Sequence, residues 1–168
     1  MADPVRVLLV DDEPDFQEAL AFWFKSKGYH ITAAQSGAEA LEMIKASPPN
    51  VVFLDVMMPG MDGIETLRRL RAFNKTLPVI LVTAAVQEDN KFAGAKALGI
   101  SGIFPKGSSL NELTQVLQVA LRHLRPAASP AGQAPAAGPV PSAAQDPSPG
   151  PASASWWDRL RGRLHRSS

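Results

Sequence analysis

The chain has 168 residues, of which 45% are hydrophobic and 20% charged, with a net charge of +1 and no cysteine. That length suits one ordinary domain plus an extension. The missing cysteines exclude disulfide frameworks and thiolate metal sites and fit a reducing compartment. The first residues lack the basic and apolar runs of a signal peptide, and no stretch nears the ~20 apolar residues of a bilayer span. A cytoplasmic protein with neither is therefore expected.

Residues 5–10, Val-Arg-Val-Leu-Leu-Val, form a short, mostly apolar run of the kind that suits a parallel strand buried on both faces. Asp11, Asp12 and Glu13 follow, and Pro14 stands where a helix tolerates a missing N–H. Phe16, Leu20, Phe24 and Lys27 then recur at helical spacing, and Gly28 marks the stop. Residues 31–34 form a weaker strand, and Ala40, Leu41, Ile44 and Lys45 a second helical stripe. Residues 51–54, Val-Val-Phe-Leu, form a third strand ending at Asp55, after which Ile64, Leu67, Leu70 and Arg71 repeat the helical period. Residues 79–82, Val-Ile-Leu-Val, lead to Thr83, and Gly99 marks another helix stop. The weak strand 102–104 leads to Lys106. The last stripe is the clearest: Leu110, Leu113, Val116, Leu117, Ala120, Leu121 and Leu124. Strands alternating with helices five times over predict a doubly wound α/β domain with helices on both faces of a parallel sheet.

The composition then changes. Residues 126–155 are almost entirely Pro, Ala, Ser and Gly, which cannot bury enough apolar surface to fold, so a disordered linker is expected. It would reach roughly 30 Å as a random coil and about 90 Å as extended polyproline II. Residues 156–168 restore apolar content and carry four arginines against Asp158. On a helix, Trp157, Leu160 and Leu164 would share one face.

In an open α/β sheet, ligands bind beyond the carboxyl ends of the strands. Three carboxylates (Asp11, Asp12, Asp55), one hydroxyl (Thr83) and one ammonium (Lys106) should meet there. Each alone has a plainer reading: an Asp after a strand is commonly a helix N-cap, a Thr a turn hydroxyl, a Lys a solvated surface group. Together they make a chemical group. Clustered carboxylates repel, a divalent cation relieves that repulsion, and all-oxygen ligation favours Mg²⁺. The remaining slots suit a phosphoryl oxygen, with Lys106 neutralising a second oxygen and Thr83 donating to a third. That is a site for phosphoryl transfer onto a carboxylate.

Val-Leu-Leu-Val-Asp11-Asp12-Glu13-Pro, then Leu-Asp55-Val-Met-Met-Pro59-Gly-Met61-Asp62-Gly63, then Val-Thr83-Ala, then Lys106 closely resemble the receiver domains of two-component response regulators. The resemblance covers about residues 4–125. It implies a flavodoxin-like sheet in order 2-1-3-4-5, and Asp55 as the acceptor of a phosphoryl group from a histidine kinase or histidine phosphotransfer protein. It further implies Mg²⁺ bound directly by Asp12, mainly through water by Asp11, and by the backbone carbonyl of Met57. Thr83 and Lys106 would grip the phosphoryl group. No enzymatic activity is implied beyond accepting that group and slowly losing it.

The chain departs from the family pattern in three respects. Ile103 stands where the family usually has Tyr or Phe, and Phe104 should point the opposite way, into the core. Proline precedes Lys106 instead of following it, so the usual cis bond after the lysine is not expected. Met57 and Ala85, which occupy positions that govern hydrolysis in the family, cannot orient a water, so slow self-dephosphorylation is expected.

Output through DNA is not expected, because thirteen residues after the linker cannot make a helix-turn-helix. Output should run through protein contacts on the fourth helix, fifth strand and fifth helix, a face that in the family also supports homodimers. Three readings of residues 156–168 stand: a disordered end, a Trp-Arg peptide that docks on a partner, and a short helix on a membrane surface. A second function class also stands: an adaptor that keeps the fold, ignores phosphorylation and localises a partner through this tail.

Overall fold

The computed structural model describes residues 3–84 and 89–122, with the side chains of residues 89–92 outside that description. Ala85, Leu124, the linker 126–155 and the tail 156–168 lie outside it. The elements run β1 (Arg6–Val10), α1 (Pro14–Ser26), β2 (His30–Ala34), α2 (Gly37–Ala46), β3 (Val51–Asp55), α3 (Gly63–Phe73), β4 (Val79–Thr83), α4 (Asp89–Ala97), β5 (Gly102–Pro105) and α5 (Leu110–Arg122). All strand pairs are parallel, and the sheet order is β2-β1-β3-β4-β5. The sequence placed these strands to within one residue at either end. Pro105 extends β5, which an edge strand tolerates because it has a side with no ladder to complete.

The strands sort their residues by twos. Leu8, Val10, Val52, Leu54 and Leu81 point into a core layer closed by α2, α3 and Ala95 of α4. Val7, Leu9, Phe53, Ile80, Val82 and Phe104 point into the other layer, closed by α1 and α5. Phe104 is fully buried there, while Ile103 packs against the first layer, so the pair alternates as expected. Phe24 fills the second layer, stacked obliquely on Phe53 with ring centroids 5.3 Å apart. Truncating a side chain so placed costs roughly 3–5 kcal/mol.

Local chemistry fixes the helix ends. Asp62 caps α3 by accepting from the Glu65 N–H at 2.8 Å, and Ser36 caps α2 by accepting from the Glu39 N–H at 3.2 Å. Gly28 and Gly99 follow α1 and α4 at φ +84° and +78°, where other residues are strained. The guanidinium of Arg71, in the last turn of α3, donates to the carbonyls of Leu98 and Gly99, both at 2.8 Å, and so ties down the end of α4. No helix among the described residues is long and apolar enough to cross a membrane.

Candidate functional site

Every chemical group singled out above sits at the carboxyl edge of the sheet. Asp11 and Asp12 follow β1, Asp55 ends β3, Thr83 ends β4 and Lys106 follows β5. Asp11, Asp55 and Thr83 are buried. Asp12 and Asp55 cap no helix: Glu13 holds the N-cap position of α1 and Asp62 that of α3. The plainer readings of those aspartates therefore fail. A loop tightened by Gly63 shapes the turn after Asp55, since a Cβ on Gly63 would lie 2.1 Å from the Asp55 carbonyl oxygen. The Met57 N–H donates to Asp55 Oδ1 at 3.1 Å, which holds the carboxylate against its own turn.

Lys106 is the hub. Its Nζ bonds Asp55 Oδ2 and Glu13 Oε1, both at 2.9 Å, and lies 2.8 Å from Asp11 Oδ2. It also stands 4.6 Å from the centre of the Phe16 ring, whose face attracts a cation. Burial pulls this ammonium toward deprotonation, but the three carboxylates outweigh it and hold its pKa above the ordinary lysine value. Asp11 runs the other way. Burial pushes its carboxyl up to about 6, against the lowering effect of Lys106 and of the Glu13 N–H, which donates to Oδ1 at 2.8 Å.

Asp11, Asp12 and Asp55 each offer an oxygen, and the three lie within 4.8 Å of one another. Asp11 Oδ2 is buried and has charge contact with Lys106 but no hydrogen bond, since the 2.8 Å pair is poorly aligned. A buried carboxylate oxygen in that condition, beside two more carboxylates, suits a hard divalent cation. The residues present therefore fit Mg²⁺. A recess of about 350 Å³ opens at the loop after Asp55, lined by Val56, Met57, Met58, Pro59 and Asp62. A larger one, about 600 Å³, lies at the opposite edge around Arg6 and His30, away from these carboxylates.

Two contributors escaped the sequence reading. Glu13 was noted as acidic but given no role, and Phe16 was placed only on a helical stripe. Glu13 lies 93 positions from the lysine it pairs with, and only the neighbouring Asp11-Asp12 pair hinted at it.

Related proteins share this fold. Response regulator MprA of a Mycobacterium species, strain KMS, is 39% identical over 127 residues, which is 76% of this chain and 55% of that protein. The chain thus spans about half the length of that relative. Chemotaxis protein CheY4 of Vibrio cholerae is 28% identical and superposes with a TM-score of 0.66 over 71% of this chain and all of that one. The response regulator TrrA of Thermotoga maritima, solved in complex with Mg²⁺ and BeF, is 30% identical with a TM-score of 0.62 over 70% of this chain and 99% of that one. Residues 7–118 match the response regulator receiver domain, a span that takes in the five strands except Arg6 and most of α5. The chain belongs to that family.

Proposed function

We propose that this chain accepts a phosphoryl group on Asp55 from a histidine kinase or a histidine phosphotransfer protein and signals through protein contacts. The observation that carries the reading is Lys106 Nζ, held 2.8–2.9 Å from Asp11, Glu13 and Asp55 at the edge where Asp12 and Thr83 also lie. An Asp55 carboxylate oxygen attacks phosphorus, the phosphorus–nitrogen bond to the donor imidazole breaks, and the nitrogen leaves with the electron pair. Lys106 neutralises charge on one phosphoryl oxygen, and the Thr83 hydroxyl donates to another. Asp11, Asp12, Asp55 and the Met57 carbonyl would hold Mg²⁺, which supplies charge neutralisation at the transferring group. Helix α4, strand β5 and helix α5 carry the signal outward and form a homodimer face.

Ile103 favours a second reading. Its side chain packs against the α2–α3 core layer, where the family places a switching aromatic ring. An adaptor that holds the fold and ignores phosphorylation fits that residue. Acetyl phosphate with Mg²⁺, read by intact mass, separates the two. A phosphoryl adduct is expected on the wild-type chain and none on Asp55→Ala. Absence of the adduct, or its survival in the variant, removes the acceptor reading.

A further inference from the structure

The described domain is an electrical dipole along the strand direction. At the carboxyl edge stand Asp11, Asp12, Glu13, Asp15, Asp55 and Asp62, gathered around the ammonium of Lys106. Every helix starts at that edge and ends at the other, and every one carries a cation in its last turn: Lys25, Lys45, Arg71, Lys96 and Arg122. Arg6 adds another at the start of β1. The helix macrodipoles run the other way, but the five N-termini bring only about +0.5 charge each to the carboxyl edge, against six carboxylates. A cationic segment attached to this domain is therefore repelled by the amino edge and drawn to the carboxyl edge.

The chain supplies such a segment. Residues 156–168 carry Arg159, Arg161, Arg163 and Arg166 against Asp158, with Trp156 and Trp157 beside them. They are tethered to the end of α5, at the repelling edge. The span back is about one helix length, ~20 Å for α5, plus the width of a loop. Residues 123–155 would reach roughly 30 Å if they behaved as a coil, and effective concentration is greatest when a linker's reach matches the span. The receiving surface has what such a segment needs. Asp12, Glu13 and Asp15 lie at the start of α1, the last two exposed, and Asp11 Oδ2 lacks a hydrogen bond. Met57 is 57% exposed, next to Pro59, on the wall of the 350 Å³ recess, and a thioether packs well on an indole.

We propose that residues 156–168 dock on the carboxyl edge of their own domain, with arginines on Asp12, Glu13 and Asp15 and tryptophan on Met57 and Pro59, and so compete with Mg²⁺. The competition, though not the docking, rests on the Mg²⁺ reading above. A docked fraction near four-fifths would weaken apparent Mg²⁺ binding about fivefold.

The test compares the full chain with its R159S/R161S/R163S/R166S variant, whose substitutions lie outside the described residues. Backbone amide spectra are recorded in EDTA at low and high salt. Expected are differences at residues 11–15 and 57–62 that vanish at about 0.5 M salt, where screening falls to a few ångströms. In low salt the variant should bind Mg²⁺ about fivefold more tightly, and the two should coincide at high salt. Identical spectra at residues 11–15 and 57–62 overturn the docking. So do differences that grow with protein concentration, which mean a second copy, or that appear only with anionic vesicles, which mean a membrane. Amide differences without any change in Mg²⁺ affinity overturn the competition alone. A wild-type chain and a variant that both fail to bind Mg²⁺ would sink the metal reading, and the EDTA spectra would still decide the docking.

Discussion

Asp11→Asn is expected to stabilise the metal-free protein. Burial lifts the Asp11 carboxyl from 3.8 to about 6, so its ionised form costs folding free energy at neutral pH. Two units correspond to about 3 kcal/mol at 1.36 kcal/mol per unit. The amide keeps the bond from the Glu13 N–H but turns a neutral group toward Lys106, which retains Glu13 and Asp55. The value of about 6 already includes the pull of Lys106, so what remains to subtract is the amide NH2, a donor left facing the ammonium, on the order of 1 kcal/mol, leaving a net gain of about 2 kcal/mol. The pH dependence has a definite sign. A carboxyl whose pKa is higher folded than unfolded costs nothing below pH 3.8, and its cost grows until pH passes about 6. In EDTA the variant should therefore gain on wild type between pH 4 and 6 and hold its lead above that. Mg²⁺ should reverse the order, because a cation at a hundredfold its Kd adds about 2.7 kcal/mol to the protein that binds it. Urea unfolding at pH 4.5 and 7.5, with EDTA or with Mg²⁺, measures all four corners. A variant less stable than wild type at pH 7.5 in EDTA would refute the account of Asp11 as a buried, under-bonded carboxylate.

Lys106→Met should leave Asp11 and Asp55 buried without their cation and cost about 3 kcal/mol in EDTA near pH 7.5, as broken buried pairs do. The loss should shrink near pH 5, where Asp11 takes up a proton, and unfolding curves at both values check it. Gly63→Ala should cost about 2 kcal/mol or more and weaken Mg²⁺ binding, because the new Cβ would press on the Asp55 carbonyl; wild-type melting and Mg²⁺ titration would contradict this. Phosphorylated protein in Mg²⁺, freed of donor, should keep its phosphoryl group for minutes or longer, since the thioether at Met57 orients no water. Intact mass followed over time reads it, and decay within seconds would remove the claim.

The fold was legible wherever burial left a periodic mark. β1, β3 and β4 are buried almost throughout and read as apolar runs; α5 shows its stripe because one face meets the sheet. Helix α4 left no stripe. Its sequence is mostly Ala, Gly, Lys and Asn, and Ala95 is the side chain it sends into the core among those described. Only the alternation of strands and helices required it. The site residues were legible because topology brings every strand end to one edge, so a list of strand ends was nearly a list of neighbours. What stayed hidden were contacts between elements. Glu13 and Phe16 looked like the start of an amphipathic helix, and their second task, holding an ammonium that arrives from β5, has no periodicity to betray it. Arg71 likewise looked like the margin of a stripe, and its partners lie 27 and 28 positions on.

That arginine also sets the kind of movement α4 can make. The bonds to the carbonyls of Leu98 and Gly99 anchor the far end of α4, while its first turn lies at the sheet edge where β4 ends in Thr83. Nine residues make a rod about 13 Å long. A push of roughly 2 Å at the Thr83 end, the size of shift packed helices accommodate, then swings the rod through roughly 10° instead of sliding it. The displacement is greatest near the carboxylates and falls to nothing at the arginine. Arg71 is thus placed as a fulcrum, and under the proposed function a partner docked on α4 would read an angle.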